Sequence, residues 1–446
     1  MRFARRHFLL KTSALGIGSL LATLWGQIAR STEVIENNLS EIDRRIQQIR
    51  TAPLTVRLQD SQGNPIASQS LKIKHLRHLF NFGATYQAYL YPANDNESDR
   101  RLRENFLRLF NASTVTFYWR SYEPQENQFA DAPLLEQIAW LKEHGFYLRG
   151  HPLFWNHNPA CLPVWLEGRN VTDQELRSRM DRLLEHLSEV IFPHLDEVDV
   201  FNELVHWDSY QHPLTDLLKN QGKIPIVKQY LTRFKKLNPN VKAVINDFVS
   251  KPSYAEMLNE FQAAQVPWDQ IGQQAHMFFG NWPSQHLTNV IQRLSAIGKS
   301  IVFTEVSSLS GAIKEDIDFS RTYTDWVSDR EHEQQQADYL DYFYRLAFSY
   351  PQITGIFLWS FSDHGAWLGA PTGILHQDGR PKPAFTQLDK LINQVWRTNG
   401  EYITDSSGYV RISNAYEGEY QITVSDQVMT GQHSFSKPLE ILKTLS

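Results

Sequence analysis

Across residues 80–395, short apolar runs alternate with longer stretches whose apolar positions return every three or four residues. The short runs predict strands over 80–84, 114–118, 146–150, 197–201, 242–246, 269–274, 300–304 and 354–358. The longer stretches predict helices over 99–110, 134–144, 173–192, 214–237, 253–265, 284–297 and 331–349, with an eighth over 383–395. Eight strand and helix pairs in succession predict an α/β fold of the (β/α)8 TIM barrel type. A doubly wound sheet fits less well, because no glycine-rich phosphate loop follows the first strand.

The flanks follow another pattern. Residues 37–49 form a polar helix with Ile42, Ile46 and Ile49 on one face. Residues 54–58 and 70–76 alternate as strands do, and the turn-rich stretch 60–65 between them predicts a hairpin. At the other end, 402–403, 409–412 and 420–424 are short strands parted by Ser406-Ser407-Gly408 and Glu417-Gly418. Neither end carries enough apolar residues for a core of its own, so the chain ends are expected to pair into one small β accessory module. The expected organisation is an export signal over 1–30, a lead-in helix and hairpin over 31–78, a catalytic barrel over 79–397 and a C-terminal β segment over 398–446.

The first residues refine this division. Arg5-Arg6 precedes Phe8-Leu9 and an apolar run from Thr12 to about Ile28, which reads as a twin-arginine export signal and predicts a periplasmic or extracellular location. An uncleaved signal anchor is the alternative. Cys161 is the single cysteine, so no intrachain disulfide can form. With 44 Lys and Arg against 49 Asp and Glu the net charge is -5, and no basic footprint points to nucleic acid or an anionic membrane. The 12 Trp, 18 Tyr and 25 Phe suit a neutral ligand with flat faces. A monomer with a neutral ligand, and without cofactor or metal, is expected.

Placed on a barrel, the chemically distinctive residues gather at strand C-termini, where barrel active sites form. Alternation in Val198-Asp199-Val200-Phe201 stops at Asn202-Glu203, with Trp207 four residues on. A carboxyl group among rings at a barrel mouth has a raised pKa, because its anion is poorly solvated. Glu305, ending the seventh strand after Phe303-Thr304, supplies a second carboxylate across the mouth. Two opposed carboxylates suit acetal hydrolysis: one protonates the leaving oxygen and the other meets the oxocarbenium-like carbon. A metal site built from His151, His157, His276 and Glu305 is the chemical rival, although these lack local ligand spacing. No Gly-x-Ser-x-Gly elbow for a serine hydrolase is present. Singly, His151 and His276 also read as rim histidines, Trp155, Trp359 and Trp367 as packing, and Asp247 and Asp363 as caps.

At these positions the chain resembles family 10 glycoside hydrolases, the retaining endo-β-1,4-xylanases, over roughly residues 80–391. Val200-Phe-Asn-Glu203 is similar to the acid/base motif of that family, which implies Glu203 as general acid then base and Asn202 as a partner of the sugar 2-hydroxyl. Phe303-Thr-Glu305 is similar to the nucleophile motif, implying Glu305 in the glycosyl-enzyme intermediate. Gly150-His151-Pro-Leu-Phe-Trp155 resembles Gly-His-x-Leu-x-Trp, implying His151 and Trp155 as walls of the glycone subsite. Gln274 and His276 resemble Gln-x-His, whose histidine bonds the nucleophile; Trp359 and Trp367 resemble the tryptophans over the sugar; Asn246-Asp247 resembles the start of Asn-Asp-Tyr-Asn. The resemblance implies endo-cleavage of xylan by double displacement. Thr114, Val115 and Tyr118 replace the family's Glu, Asn and Lys that grip a second glycone sugar, Ser307 replaces an Asp behind the histidine, and Phe248-Val249 replaces Tyr-Asn. These departures leave open the same chemistry on a different or decorated β-glycoside, or a non-catalytic carbohydrate-binding barrel.

Overall fold

The computed structural model describes residues 39–87 and 96–445, so the export-signal reading of 1–30 lies outside the described residues. The chain begins with α1 (residues 39–50), β1 (Thr51–Gln59) and β2 (Ser70–His78). Eight further strands follow: β3 (Asn81–Thr85), β4 (Ala112–Thr116), β5 (Tyr147–His151), β6 (Glu197–Asn202), β7 (Lys242–Asp247), β8 (Gln270–Met277), β9 (Ser300–Ser308) and β10 (Ile353–Leu358). They pair in parallel and close in the order β10-β3-β4-β5-β6-β7-β8-β9, which is the expected TIM barrel.

Around the barrel lie α2 (Glu97–Leu109), α3 (Trp119–Tyr122), α4 (Asp131–Glu143), α5 (Asn158–Cys161), α6 (Asp173–Val190), α7 (Pro213–Gln221), α8 (Lys223–Leu237), α9 (Pro252–Ala263), α10 (Ser284–Ser295), α11 (Arg330–Phe348) and α12 (Pro383–Lys390). Helix α6 shows why such segments fold as they do. The Thr172 hydroxyl accepts from the Glu175 N–H, Asp173 and Glu175 complement the helix dipole, and Leu176, Met180, Leu183, Leu184 and Leu187 fall on the buried face. Each fully buried leucine contributes about 2 kcal/mol. The single helix expected over 214–237 is two, α7 and α8, because Gly222 between them takes φ +87°, a conformation no helix interior allows. Strand β4 lies two residues earlier than expected: its apolar run continues into Phe117 and Tyr118, where the chain already turns into α3.

The chain ends pair as expected, but in a different arrangement from a hairpin. Beyond the barrel come β11 (Gly400–Ile403), β12 (Tyr409–Tyr416), β13 (Gly418–Val424), β14 (Gln427–His433) and β15 (Glu440–Thr444). One sheet has the order β12-β1-β15 and the other β11-β2-β13-β14, so β1 and β2 belong to separate sheets. Leu54 faces Ile412 across the β1–β12 ladder, and Ile73 faces Ile422 across β2–β13. Leu54, Val56, Leu58, Leu71, Ile73, Val410, Tyr420, Ile422 and Val424 fill a shared core. Alternation marks which face of a strand is apolar and leaves its neighbour undefined, which is why two successive strands read as a hairpin. Helix α1 fastens this module to the barrel: Arg345 pairs with Asp43 at 2.6 Å, and Arg50 Nε donates to the Phe348 carbonyl at 2.9 Å. Among the described residues no helix is long and apolar enough to cross a membrane.

Buried histidines mark the junction. The His75 ring stacks on Tyr420 at 4.7 Å and meets His78 edge-on at 4.6 Å, while His78 Nε2 lies 2.9 Å from the Ile392 carbonyl. Burial pushes His75 down to about 3 and His78 well below the ordinary histidine range. The folded chain therefore keeps both rings neutral while the unfolded chain takes up protons below about 6.5. Stability is expected to be full above that pH and to fall toward pH 3, by about 1.4 kcal/mol per pH unit for each ring. Calorimetric midpoints across that window check this; a His75→Gln variant should show a shallower fall, and an unchanged slope would refute the assignment.

Candidate active site

Parallel register brings the polar strand ends together. Asn202 on β6 stands beside Asn246 on β7, and Gln274 on β8 beside Glu305 on β9. Gly272 makes room for this: a Cβ there would lie 2.6 Å from Asn246 Oδ1.

Glu305 is buried. Its Oε1 accepts from Asn246 Nδ2 at 2.8 Å, its Oε2 lies 3.1 Å from His276 Nε2, and His151 Nδ1 is 3.8 Å from Oε1. Burial alone would raise its pKa, but the field of His151 and the hydrogen bonds from His276 and Asn246 outweigh it and hold the carboxyl below its ordinary value. Ser307 Oγ lies 3.0 Å from His276 Nδ1. The Ser307 hydroxyl can donate to Nδ1 or accept from it, so it steadies the ring in the orientation that aims Nε2 at Glu305.

Glu203 sits in a contrasting environment. It leaves β6 with φ +58°, a left-handed conformation that costs a residue with a side chain about 1–2 kcal/mol. Its N–H donates to the Asn246 carbonyl at 2.8 Å, and Asp247 accepts the N–H groups of Val205 at 2.9 Å and Val249 at 3.0 Å, tying the loop after β6 to the one after β7. Trp155 Nε1 donates to Glu203 Oε2 at 3.1 Å and Gln274 Nε2 to Oε1 at 3.2 Å. Burial first, then the charges of Glu305 and Asp247, push Glu203 up to about 8. Between the two carboxyls runs a relay of amides: Gln274 Nε2 and Asn246 Nδ2 both donate to Asn202 Oδ1, at 3.3 and 2.9 Å. Thr304 Oγ1 orients Asn246 by donating to its Oδ1 at 2.7 Å. Asn202 Nδ2 is buried without a protein acceptor.

Asp247→Ala would leave the Val205 and Val249 amides without their acceptor and release the strained loop. We expect a stability loss of about 2 kcal/mol by urea unfolding, together with reduced turnover. Unchanged turnover would mean that the loop positions Glu203 without Asp247.

Below the mouth lies a charged layer that the sequence reading did not single out. Fully buried Arg149 on β5 bonds Glu197 Oε1 through Nε at 3.0 Å and Asp199 Oδ1 through Nη2 at 2.5 Å, both on β6. Asp199 Oδ2 in turn lies 2.7 Å from His151 Nδ1, so the ring is held by Asp199. Charges at positions i and i+2 in two neighbouring strands, 149/151 and 197/199, were the available signal that both rows point inward. The roles of Asp199 and Thr304 went unread, whereas Asp247, also read as a cap, does cap the Val249 N–H two residues on.

Aromatic walls complete the site. Trp155 stacks on His157 at 4.4 Å and lies 6.3 Å from Tyr118, whose ring meets His151 edge-on. Trp359 meets the rings of His151 at 5.4 Å and His276 at 6.0 Å, and Trp367 meets His276 at 5.1 Å. Of the replaced positions, Thr114 and Val115 are fully buried in β4. Among the described residues, the group with metal-ligand spacing is His151, Asp199 and Glu305, within 4.8 Å, not the four residues first considered, since His157 packs on Trp155. Its donor atoms are engaged: Arg149 neutralises Asp199, while Asn246 and His276 occupy Glu305.

A barrel whose mouth holds two glutamates with pKa values driven apart, among indole walls, is the architecture of a (β/α)8 glycoside hydrolase. The model of glycosyl hydrolase family 10 matches residues 76–391, and the chain belongs to this family. An anti-sigma-I factor of Acetivibrio thermocellus is 23% identical over 402 residues, spanning 87% of this chain and 46% of that protein. Endo-1,4-beta-xylanase 1 of Arabidopsis thaliana is 24% identical over 338 residues, spanning 72% of this chain and 31% of that protein. The chain thus spans less than half the length of either relative. Xylanase 10B of Thermotoga petrophila, solved in complex with xylobiose, shares the fold with a TM-score of 0.59 at 19% identity, over 71% of this chain and 95% of that one.

Proposed function

We propose that the chain is a retaining endo-β-1,4-xylanase with Glu203 as acid/base and Glu305 as nucleophile. The observation that carries this reading is the split between the carboxyls: Glu203 pushed up to about 8, Glu305 held below its ordinary value. At neutral pH Glu203 carries the proton that the leaving sugar oxygen needs, and ionised Glu305 attacks the anomeric carbon. Forming the glycosyl-enzyme bond removes the charge of Glu305. That charge is one of the causes raising Glu203, so the pKa of Glu203 then drops and it accepts a proton from the incoming water. Trp155 and Gln274 hold the Glu203 carboxyl in place, Asn202 Nδ2 offers a free donor to a sugar hydroxyl, His151 and Trp155 wall the glycone sugar, and Trp359 and Trp367 cover it. The twin-arginine pattern at Arg5-Arg6 supports export of the enzyme to the periplasm or beyond, where such polymers are met.

Xylanases among the relatives and structural neighbours support xylan as substrate. One observation favours a second reading, the same chemistry on another β-glycoside: the positions expected to grip a second glycone sugar hold buried Thr114 and Val115 and the ring of Tyr118. Proton NMR of the first products from glucuronoxylan, with aryl β-glucosides and cellobiosides assayed in parallel, tests the mechanism and decides between them. Reducing ends released in the β configuration are expected; α ends would mean inversion, and release only from aryl β-glucosides or cellobiosides would replace xylan as the substrate.

A further inference from the structure

An apolar shelf continues the wall of the mouth outward on the side of β8, β9 and β10. From the His276 ring, which bonds Glu305, the series runs to Trp367 at 5.1 Å, on to Phe319 at 5.8 Å and then to Phe279 at 6.1 Å. The outer rings are open to solvent: Trp367 is 38% exposed, Phe319 48% and Phe279 64%. Ile313, also exposed, lies beside them, its Cδ1 3.5 Å from the Cβ that Gly280 lacks. Beneath is a separate buried core of Phe278, Leu309, Tyr323, Trp326, Leu368 and Ala370, which gives the shelf a packed base. Exposed apolar rings grouped on such a base, contiguous with a binding cleft, mark an interaction surface.

The chemistry of the shelf selects its occupant. Sugar hydroxyls need polar partners, yet several polar side chains of this segment are already engaged. Asp318 Oδ1 accepts from Ser320, Lys314 pairs with Asp325 while lying over the Tyr323 ring, and Asn281 accepts from Ser308. What Phe279, Phe319, Trp367 and Ile313 themselves leave open is hydrocarbon. Phe279 and Phe319 stand at 63° to one another and Phe319 and Trp367 at 38°, an inclined array that receives another aromatic ring edge-on or offset at similar spacing.

We propose that this shelf binds an aryl ester substituent carried by the polysaccharide, so that the enzyme prefers chains decorated with aromatic acids; this rests on the glycosidase reading above. The substituent is held beside the cleft and undergoes no chemistry there. Its binding energy replaces part of the grip lost at Thr114, Val115 and Tyr118.

A matched pair of ligands tests this: a feruloylated arabinoxylo-oligosaccharide, and the same molecule after alkaline removal of the ester. In a Glu305→Ala background, titration calorimetry should give roughly tenfold tighter binding of the ester form. Adding Phe279→Ala and Phe319→Ala, both surface positions, should abolish that difference while leaving the affinity of the plain oligosaccharide unchanged. Equal affinity for the two ligands would overturn the proposal, as would an equal loss for both in the triple variant, which would assign the shelf to sugar rings. Ester selectivity in a protein whose wild type cleaves neither ligand would uphold the shelf and refute the xylanase reading.

Discussion

Glu305→Ala is expected to lower kcat on an aryl β-xyloside by at least about 10⁴-fold, because among the described residues no other carboxylate in the mouth is held ionised opposite Glu203 to form the covalent intermediate. The fold should survive. The change removes a buried charge, and the groups that lose a partner, His276 Nε2 and Asn246 Nδ2, sit at the open end of the barrel where solvent can replace it. Azide supplied in solution should enter the vacated space and restore part of the rate, giving a glycosyl azide of α configuration. Substantial activity in the variant without azide would rule out Glu305 as nucleophile. Azide rescue that gave the β product would place the missing group on the other face of the sugar.

On the proposed mechanism, Glu203 is expected to govern the alkaline side of the pH profile. Only its protonated form can donate, and its pKa stands at about 8, so kcat/KM on xylan should hold up to about that pH and then fall about tenfold per unit. The acid limb reports the protonation of Glu305, which is held below the ordinary carboxyl value, and should lie correspondingly low. Glu203→Ala should remove the alkaline limb. It should cost about 10²–10⁴-fold on xylan, whose leaving group needs a proton, and far less on a dinitrophenyl glycoside, whose leaving group does not. Equal losses on both substrates would assign Glu203 a binding role. In a Glu305→Gln variant the Glu203 pKa should move down, since one of the charges raising it is gone, and NMR titration of the side chain reads that shift directly.

The barrel was legible in the chain because its pattern is redundant: eight strands and their helices repeat one rhythm, and an error at one place leaves the count intact. Local breaks were less legible. Gly222 inside an otherwise helical pattern reads as a tolerated residue until its φ of +87° is known, and only then do α7 and α8 separate. Strands β14 and β15 escaped notice because few of their residues are buried; Gln427–His433 buries only His433 fully. The strand-end residues were readable because their types are rare together, but their connections were not. Nothing in the order of residues says that Asn246 donates to both Asn202 and Glu305, since this follows from the register of neighbouring strands, whereas Ser307 behind His276 was read through the family resemblance.

The module made by the two ends of the chain has a consequence for biosynthesis. Strand β1 lies between β12 and β15, and β2 between β11 and β13, so every ladder partner of residues 51–59 and 70–78 within these sheets comes from beyond residue 399. A chain leaving the ribosome carries these two apolar strands unpaired while the whole barrel is made behind them. Contacts so distant in sequence form late and slowly, and until they do the open edges invite pairing with other nascent chains. The final forty-odd residues thus act as the closing clasp of the molecule, and chains stalled before Gly400 would be the ones that call on chaperones.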